Sequence, residues 1–212
     1  KDFIMNLNSG IKVKAIKDRL NEKNIGKLIP TDTDLIIDAS DNFETRYTID
    51  DYCSKLAIPL IYGAIHRFEG HIGVFHFSSG ISYRSLFPKA PEPGLVDNCE
   101  INGVLGPVAG TIGCLMANEA IKLLSGLGKV LSGELLVIKF DDFSVIRMKL
   151  HGENQFSLSG NENNYTIENI SADKLINKLK TEIGTFTEPG ILFFANSMGW
   201  RMSINCMFFS VL

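Results

Sequence analysis

Asp41, Asn42 and Arg46 are the side chains of this 212-residue chain whose types and spacing could do chemistry together. Asp41 follows a short apolar run, 35–39, and precedes a segment with helical spacing. In an open α/β sheet, ligands bind in the crevice outside the carboxyl ends of the strands, so a carboxylate placed there can meet a metal ion or a nucleotide phosphate. The alternative is structural: Asp41 and Glu44 have the spacing of a capping box, in which Asp41 would only cap a helix.

The elements that must position these residues form a β-α-β pattern. The apolar run 35–39 is typical of a strand covered on both faces. Helical spacing runs from Asp41 to Leu56, and a second apolar strand is predicted over 59–65. Alternation of apolar and polar residues over 11–16 predicts a further, half-buried strand.

Beyond the second apolar strand, the pattern favours antiparallel pairing. Strands are predicted over 71–77 and 81–87, followed by a long loop over 88–106. The spacing predicts a helix over 107–124, whose glycines indicate close packing against a sheet or a second subunit. A hairpin is predicted from strands 135–140 and 144–150.

The C-terminal part has a different composition. Residues 151–169 are rich in Asn, Ser and Gly, as in a linker, and a short amphipathic helix is predicted over 170–180. Residues 190–212 are apolar, but Asn196, Arg201 and Asn205 lie across them and argue against a membrane helix.

Composition excludes several functions. The net charge of −3, without a basic stripe carrying aromatic residues, argues against nucleic-acid binding. The four cysteines are scattered and no signal peptide is present, so we expect a reducing, cytoplasmic location. His66, His71 and His76 recur every five residues, a spacing that alternates between the faces of a strand and therefore argues against a metal site.

Several motifs, taken in order, resemble the ThiF/MoeB/HesA family, the bacterial relatives of ubiquitin-activating enzymes. The resemblance covers roughly residues 8–150 and continues through the helix that contains Asn118-Glu-Ala-Ile-Lys-Leu-Leu124. Its other parts are Asp38-x-x-Asp41-Asn42-Phe43-x-Thr45-Arg46, Pro59-Leu-x-Tyr-Gly-Ala-Ile65, Phe68-Glu-Gly70, Tyr83-Arg84-x-Leu-Phe-Pro88 and Asn98-Cys99-Glu100-x-x-Gly-Val-Leu-Gly106.

The resemblance implies an α/β fold: the C-terminal part of a Rossmann-like mixed sheet flanked by helices, with an antiparallel strand region and a short appended segment. It implies ATP-dependent adenylylation of the C-terminal glycine of a ubiquitin-like sulfur carrier, of the MoaD or ThiS type, in molybdopterin or thiamine biosynthesis. A homodimer is also implied.

The same resemblance assigns roles to individual residues. Asp41 would bind Mg²⁺ that bridges the ATP phosphates, with Asn42 and Arg46 at the nucleotide. Residues 68–77 would lie by the surface that receives the carrier's tail. Cys99 matches the thiol that forms a covalent sulfur linkage with the carrier in some relatives, and a small buried hydrophobe is the alternative for it.

Departures from the family pattern lead to three further expectations. The Gly-rich nucleotide turn of the family would precede residue 1, so we expect an N-terminally truncated chain that does not bind ATP productively by itself. No zinc site is expected, because the positions of the four cysteine ligands hold Ser82, Ser85, Phe156 and Ser159. Residues 170–212 are expected to be the truncated start of a rhodanese-like domain or a disordered tail.

Two other functions remain open from the sequence. One is a non-catalytic module that binds the carrier but lacks the nucleotide-binding half. The other is an unrelated nucleotide-dependent oxidoreductase, which ranks last because the chain has no Gly-rich dinucleotide fingerprint.

Overall fold

A computed structural model describes residues 1–78, 81–91, 103–151, 155–159 and 191–195, with the backbone alone from residue 151 onwards. Among these residues, the helices are α1 (Asp2–Leu7), α2 (Ile25–Leu28), α3 (Phe43–Leu56), α4 (Tyr83–Leu86) and α5 (Gly106–Ser125). The strands are β1 (Leu35–Ala39), β2 (Leu60–His66), β3 (Glu69–Phe75), β4 (Glu134–Lys139), β5 (Val145–His151), β6 (Gln155–Ser159) and β7 (Ile191–Ala195).

The strands form a mixed sheet in the order β6-β5-β4-β3-β2-β1-β7. β1 is parallel to both β2 and β7. From β2 onwards each neighbouring pair is antiparallel, so strand direction changes in the middle of the sheet. The predicted Rossmann-like mixed sheet with an antiparallel region is therefore confirmed.

Helices cover the two faces of this sheet, and alternate residues of each strand supply the two cores. Ile36, Leu60 and Phe75 belong to the core on the α3 side. Ile37 and Ile61, each the next residue along its strand, belong to the core on the α5 side. Because strand side chains alternate with a period of two, the continuous apolar runs of β1 and β2 supply both cores at once.

Two glycines of the sheet allow α5 to pack closely on it. A Cβ added at Gly63 would lie 2.2 Å from the sulfur of Met116, and one at Gly70 would lie 2.4 Å from Ile112 Cδ1. A Cβ at Gly113 of the helix itself would meet nothing within 4 Å. The predicted close packing is therefore correct for the sheet, but the glycines that permit it lie on the strands.

Two predicted strands are wrong. Residues 11–16 form no strand, and the side chains of Lys12 and Lys14 are exposed. Residues 81–87 contain the short helix α4 instead of a strand. Ser82 caps α4 with its hydroxyl group, which accepts a hydrogen bond from the Ser85 amide at 3.0 Å.

The structure adds strands near the C-terminus. β6 lies within the predicted linker over 151–169 and pairs with β5, so these five residues extend the sheet. β7 pairs with β1 at the edge of the sheet. The helix predicted over 170–180 lies outside the described residues. In the part of the chain that is described, no helix is long and apolar enough to cross a membrane.

Candidate active site

Asp41 lies where strand β1 gives way to helix α3, as predicted. The cap of α3 is Asn42, whose backbone is extended and whose Oδ1 accepts a hydrogen bond from the Thr45 amide at 2.9 Å. Glu44 instead pairs with Arg19, at 2.9 Å between Oε2 and Nη2, on the surface. The predicted capping box of Asp41 and Glu44 is therefore wrong, which leaves the exposed Asp41 outside the capping interaction.

A cavity of about 410 Å³ opens beside Asp41 at the carboxyl ends of β1 and β2. The first turn of α3 forms one wall, the β2–β3 hairpin forms another, and α4 with the residues after it forms a third. Its lining is Asp41, Asn42, Phe43, Arg46, Tyr47, Tyr62, Ala64, Ile65, His66, His71, Tyr83, Phe87, Lys89 and Pro91. The position is the ligand-binding crevice of open α/β sheets.

Arg46 is fixed in the wall of this cavity. Its Nη2 donates a hydrogen bond to the Ser40 carbonyl oxygen at 2.7 Å, and its Nη1 donates to the Tyr62 hydroxyl at 3.2 Å. The guanidinium group also lies over the Tyr62 ring, 5.1 Å from its centroid. Two buried polar atoms here have no hydrogen-bond partner among the described residues: the Nε of Arg46 itself and the Oγ of Ser40.

Asp38 supplies a buried carboxyl group that interacts electrostatically with Arg46. Its carboxylate accepts a hydrogen bond from the Ser40 amide at 2.8 Å. Burial raises the pKa of Asp38 above its ordinary value, and the charge of Arg46 opposes that rise. Burial alone would lower the pKa of Arg46, but Tyr62 and Asp38 raise it above the ordinary value, so the guanidinium stays charged. The cavity wall therefore holds a permanent positive charge.

Aromatic rings form the inner part of the cavity. The Tyr83 ring centroid lies 5.1 Å from that of Tyr62, 5.3 Å from that of Tyr47 and 5.0 Å from that of Phe87. Burial raises the pKa of Tyr83, and it raises that of Tyr47 to about 12, so both hydroxyl groups are protonated at neutral pH. This wall is a cluster of aromatic rings in contact with one another.

The β2–β3 hairpin brings His66 and His71 to the cavity. His66 lies opposite Glu69 and Ala64 lies opposite His71 in the antiparallel register, so all four side chains share one face. The prediction that His66 and His71 face opposite ways is wrong, because the hairpin turns at 67–68 and their spacing does not run along one strand. His71 Nε2 lies 2.6 Å from Glu69 Oε1.

Other residues predicted at sites lie elsewhere. Ser82 and Ser85 form the capping box of α4 at two of the positions where the family resemblance would place zinc ligands. Phe156 and Ser159 lie on β6. No group of three His, Cys, Asp or Glu residues in the described ranges could hold a metal ion. Cys99 lies outside the described residues.

Sequence reasoning missed the contributions of Tyr62, His66, His71 and Lys89 to the cavity. The alternation of Tyr62, Ala64 and His66 along β2 is a signal that could have identified one wall, because alternate strand residues share a face. Nothing in the sequence indicated that the hairpin would fold His71 back onto that face.

Comparison with known proteins identifies relatives of this chain. A 44% identical relative over 134 residues is the SAMP-activating enzyme E1 of Haloferax volcanii, covering 63% of this chain and 49% of that protein. The sulfur carrier protein adenylyltransferase of Thermus thermophilus is 44% identical over 136 residues, covering 62% of this chain and 50% of that protein. The chain thus spans about half the length of these relatives.

A solved structure shares the fold. The crystal structure of E. coli MccB matches with a TM-score of 0.57 at 16% identity, covering 80% of this chain and 51% of that chain. A sequence profile described as the ThiF family matches residues 1–158, which is most of the chain. The cavity at the carboxyl ends of β1 and β2, with Asp41 at its entrance, is therefore that of a protein that belongs to the ThiF family.

Proposed function

We propose that this chain is part of an adenylyltransferase that uses ATP to activate the C-terminal glycine of a ubiquitin-like sulfur carrier, of the molybdopterin or thiamine type. The exposed carboxylate of Asp41 at the cavity carries the proposal. The relatives named SAMP-activating enzyme E1 and sulfur carrier protein adenylyltransferase support it.

The donor set at the cavity fits Mg²⁺ bound to ATP phosphates. Mg²⁺ is usually held by one or two carboxylates together with substrate phosphates, and Asp41 is a carboxylate of this kind. Asn42 lies beside it at the N-terminus of the 14-residue helix α3, where anions are favoured. Mg²⁺ would neutralise phosphate charge, so that a carboxylate can approach the α-phosphate.

Arg46 supports the nucleotide site in this proposal by its charge. Its two terminal nitrogens are occupied by Ser40 and Tyr62, so its remaining contribution is the positive potential at the cavity wall and the buried Nε. A fixed charge of this kind stabilises developing negative charge without reorganisation during the reaction.

The remaining assignments rest on the family resemblance. Cys99 is proposed as a catalytic thiol that forms a covalent sulfur linkage with the carrier. A homodimer in the cytoplasm is proposed, with residues 1–150 as the C-terminal part of the adenylyltransferase domain, 151–169 as a linker and 170–212 as an appended segment. Residues 155–159 form a strand within that linker.

Pyrophosphate release by the full-length protein, with Mg-ATP and a purified ubiquitin-like sulfur carrier ending in glycine, tests the function. We expect carrier-dependent release, and a loss of about a hundredfold or more in Asp41→Asn, because its carboxylate charge is removed. Glu44→Ala is the matched control, since Glu44 is an exposed carboxylate on the first turn of α3 that pairs with Arg19.

Two results separate the alternatives. Carrier binding without pyrophosphate release by the full-length protein would favour a non-catalytic carrier-binding module. Equal activities of the wild type and Asp41→Asn would contradict the proposed role of Asp41.

A further inference from the structure

Both backbone polar groups of Ser40, the residue before Asp41, are hydrogen-bonded to side chains. The Ser40 amide donates to Asp38 Oδ1 at 2.8 Å, and the Ser40 carbonyl oxygen accepts from Arg46 Nη2 at 2.7 Å. Residues 40 and 41 alone lie between the end of β1 and Asn42, the cap of α3. The orientation of the two peptide groups that lead into Asp41 therefore depends on the side chains of Asp38 and Arg46.

The same side chains connect this turn to the neighbouring strand. Arg46 lies one turn into α3, and its Nη1 donates a hydrogen bond to the Tyr62 hydroxyl on β2 at 3.2 Å. Tyr62 lies opposite Asp38 in the parallel register of β1 and β2. Contacts from β1, β2 and α3 therefore meet at Ser40, directly before the carboxylate that lines the cavity.

Stability alone does not account for this arrangement. The side chain of Asp38 is buried, and a buried carboxyl group costs free energy that an apolar side chain of similar volume would not. Ser40 Oγ and Arg46 Nε are buried without a hydrogen-bond partner in the described ranges, which adds to the cost. Local rules of this kind are broken mainly at functional sites.

The position of Asp41 matters because Mg²⁺ requires near-ideal octahedral coordination. Residues that orient a metal ligand from outside the coordination sphere contribute about ten- to hundredfold to metal affinity or activity. Asp38 does not itself line the cavity, so any effect it has on a bound nucleotide passes through other residues.

We propose, on the basis of the proposed function, that Asp38 and Arg46 are positioning residues for Asp41. They act through the two backbone groups of Ser40 and hold the β1–α3 turn so that the Asp41 carboxylate faces the cavity. This role is separate from the positive potential that Arg46 supplies at the cavity wall.

Pyrophosphate release by the full-length protein at varied Mg²⁺ concentration tests this role. Asp38→Ala removes the acceptor of the Ser40 amide, and we expect the Mg²⁺ concentration for half-maximal rate to rise about tenfold, with KM for the carrier unchanged. Asp38→Asn keeps an Oδ1 atom that accepts the same hydrogen bond and should recover most of the loss. If Asp38→Asn is impaired as strongly as Asp38→Ala, the proposed role of this hydrogen bond is wrong.

A control variant separates positioning from a general loss of stability. Met116 is buried in the core on the α5 side of the sheet, so Met116→Ala should lower the thermal midpoint without changing the Mg²⁺ requirement. An equal rise in the Mg²⁺ requirement of Met116→Ala would show that Asp38→Ala acts only by destabilising the fold.

A double-mutant cycle shows whether Asp38 acts through Asp41. Isothermal titration of Mg-ATP into the full-length protein measures the binding affinity without any turnover. In the Asp41→Asn background, Asp38→Ala should weaken binding by less than about twofold, because the carboxylate that it positions is absent. A further loss of about tenfold in that background would overturn the proposal.

Hydrogen exchange without nucleotide separates this inference from the proposed function. Arg46→Ala leaves the acceptor of the Ser40 amide in place, yet we expect that amide to exchange about tenfold faster, because the two side chains hold the turn together. The amides of Ile49 and Cys53, further along α3, are the internal reference. Unchanged Ser40 exchange relative to this reference would overturn the positioning role in an active enzyme as well. Absence of pyrophosphate release by the wild type bears only on the proposed function.

Discussion

Asp50 and His76, 26 residues apart in the chain, meet inside the fold with 2.7 Å between Asp50 Oδ1 and His76 Nε2. The same carboxylate accepts hydrogen bonds from the Tyr83 amide at 2.9 Å and the Arg84 amide at 3.2 Å. Asp50 therefore connects α3, the end of β3 and the N-terminus of α4. Since Tyr83 lines the cavity, this connection fixes one wall of the candidate site.

Replacement of Asp50 by alanine should destabilise the fold by about 3–5 kcal/mol, because breaking a buried pair leaves buried polar groups without a partner. The neighbouring residue is a matched control. Asp51 also pairs with Arg84, at 2.5 Å between Oδ1 and Nε, but on the surface, so Asp51→Ala should cost about 0–1 kcal/mol. Urea unfolding of both variants measures the difference, and similar small losses would contradict the role of Asp50.

Removal of the Arg46 guanidinium should make stability depend more strongly on pH. Burial raises the pKa of Asp38 and Arg46 opposes this rise, so Arg46→Ala raises the folded-state pKa further. A carboxyl group whose pKa is raised by folding stabilises the fold below its unfolded-state pKa, and that contribution is lost as the pH rises through the folded-state pKa. We expect about 1–2 kcal/mol more destabilisation at about pH 7.5 than at about pH 4.5.

Urea unfolding of the Arg46→Ala variant at the two pH values measures this effect. In the Asp38→Asn/Arg46→Ala double variant the additional pH dependence should disappear, because the titrating carboxyl group is absent. Equal destabilisation of Arg46→Ala at both pH values would show that Asp38 and Arg46 are not coupled.

Alanine substitutions at two glycines should have opposite effects on stability. In Gly63→Ala the new Cβ would lie 2.2 Å from the Met116 sulfur, and we expect a cost of about 1–3 kcal/mol from overpacking. In Gly113→Ala the helix gains a better helix former and the Cβ meets nothing, so we expect a gain of about 0.5–1 kcal/mol. Thermal or urea unfolding checks both, and a destabilised Gly113→Ala would indicate a contact absent from the described residues.

Thiol labelling should distinguish Cys53 from Cys114. Cys53 is fully buried on α3, and burial, with Asp50 and Asp38 adding to it, raises the pKa of its thiol well above the ordinary value. Cys114 is exposed on α5. Since the thiolate is the reactive form, we expect iodoacetamide to modify Cys114 in the folded protein and Cys53 only in denaturant. Peptide mass spectrometry measures the two rates, and comparable rates in the folded protein would contradict the burial of Cys53.

Hydrophobic patterns correctly predicted those strands in which the pattern follows directly from burial. The apolar runs of β1 and β2 predicted strands because both faces of each strand are covered. Residues 11–16 have the alternation of a strand, but alternation alone does not provide a neighbouring strand, and none of the described strands includes these residues. A strand requires a neighbour as well as a pattern.

Long-range contacts explain most of what the sequence did not predict. α4 forms where a strand was predicted because Ser82 caps it and Asp50, more than 30 residues earlier, accepts hydrogen bonds from its first amides. The position of Asp41 could be predicted because it depends only on a strand and the helix that comes directly after it, which is a local feature of the sequence. The approach of His71 to the same cavity depends on the hairpin turn, which no local pattern revealed.

The strand direction changes at β2, and the two walls of the cavity differ in how strongly substitutions in them affect the folded core. The wall with Asp41 and Arg46 depends on the buried Asp38, so substitutions there disturb the folded core. The hairpin wall ends in exposed residues such as His66 and Phe68, whose replacement leaves both cores unchanged. Substitutions in the hairpin can therefore change one wall of the cavity while the opposite wall is retained.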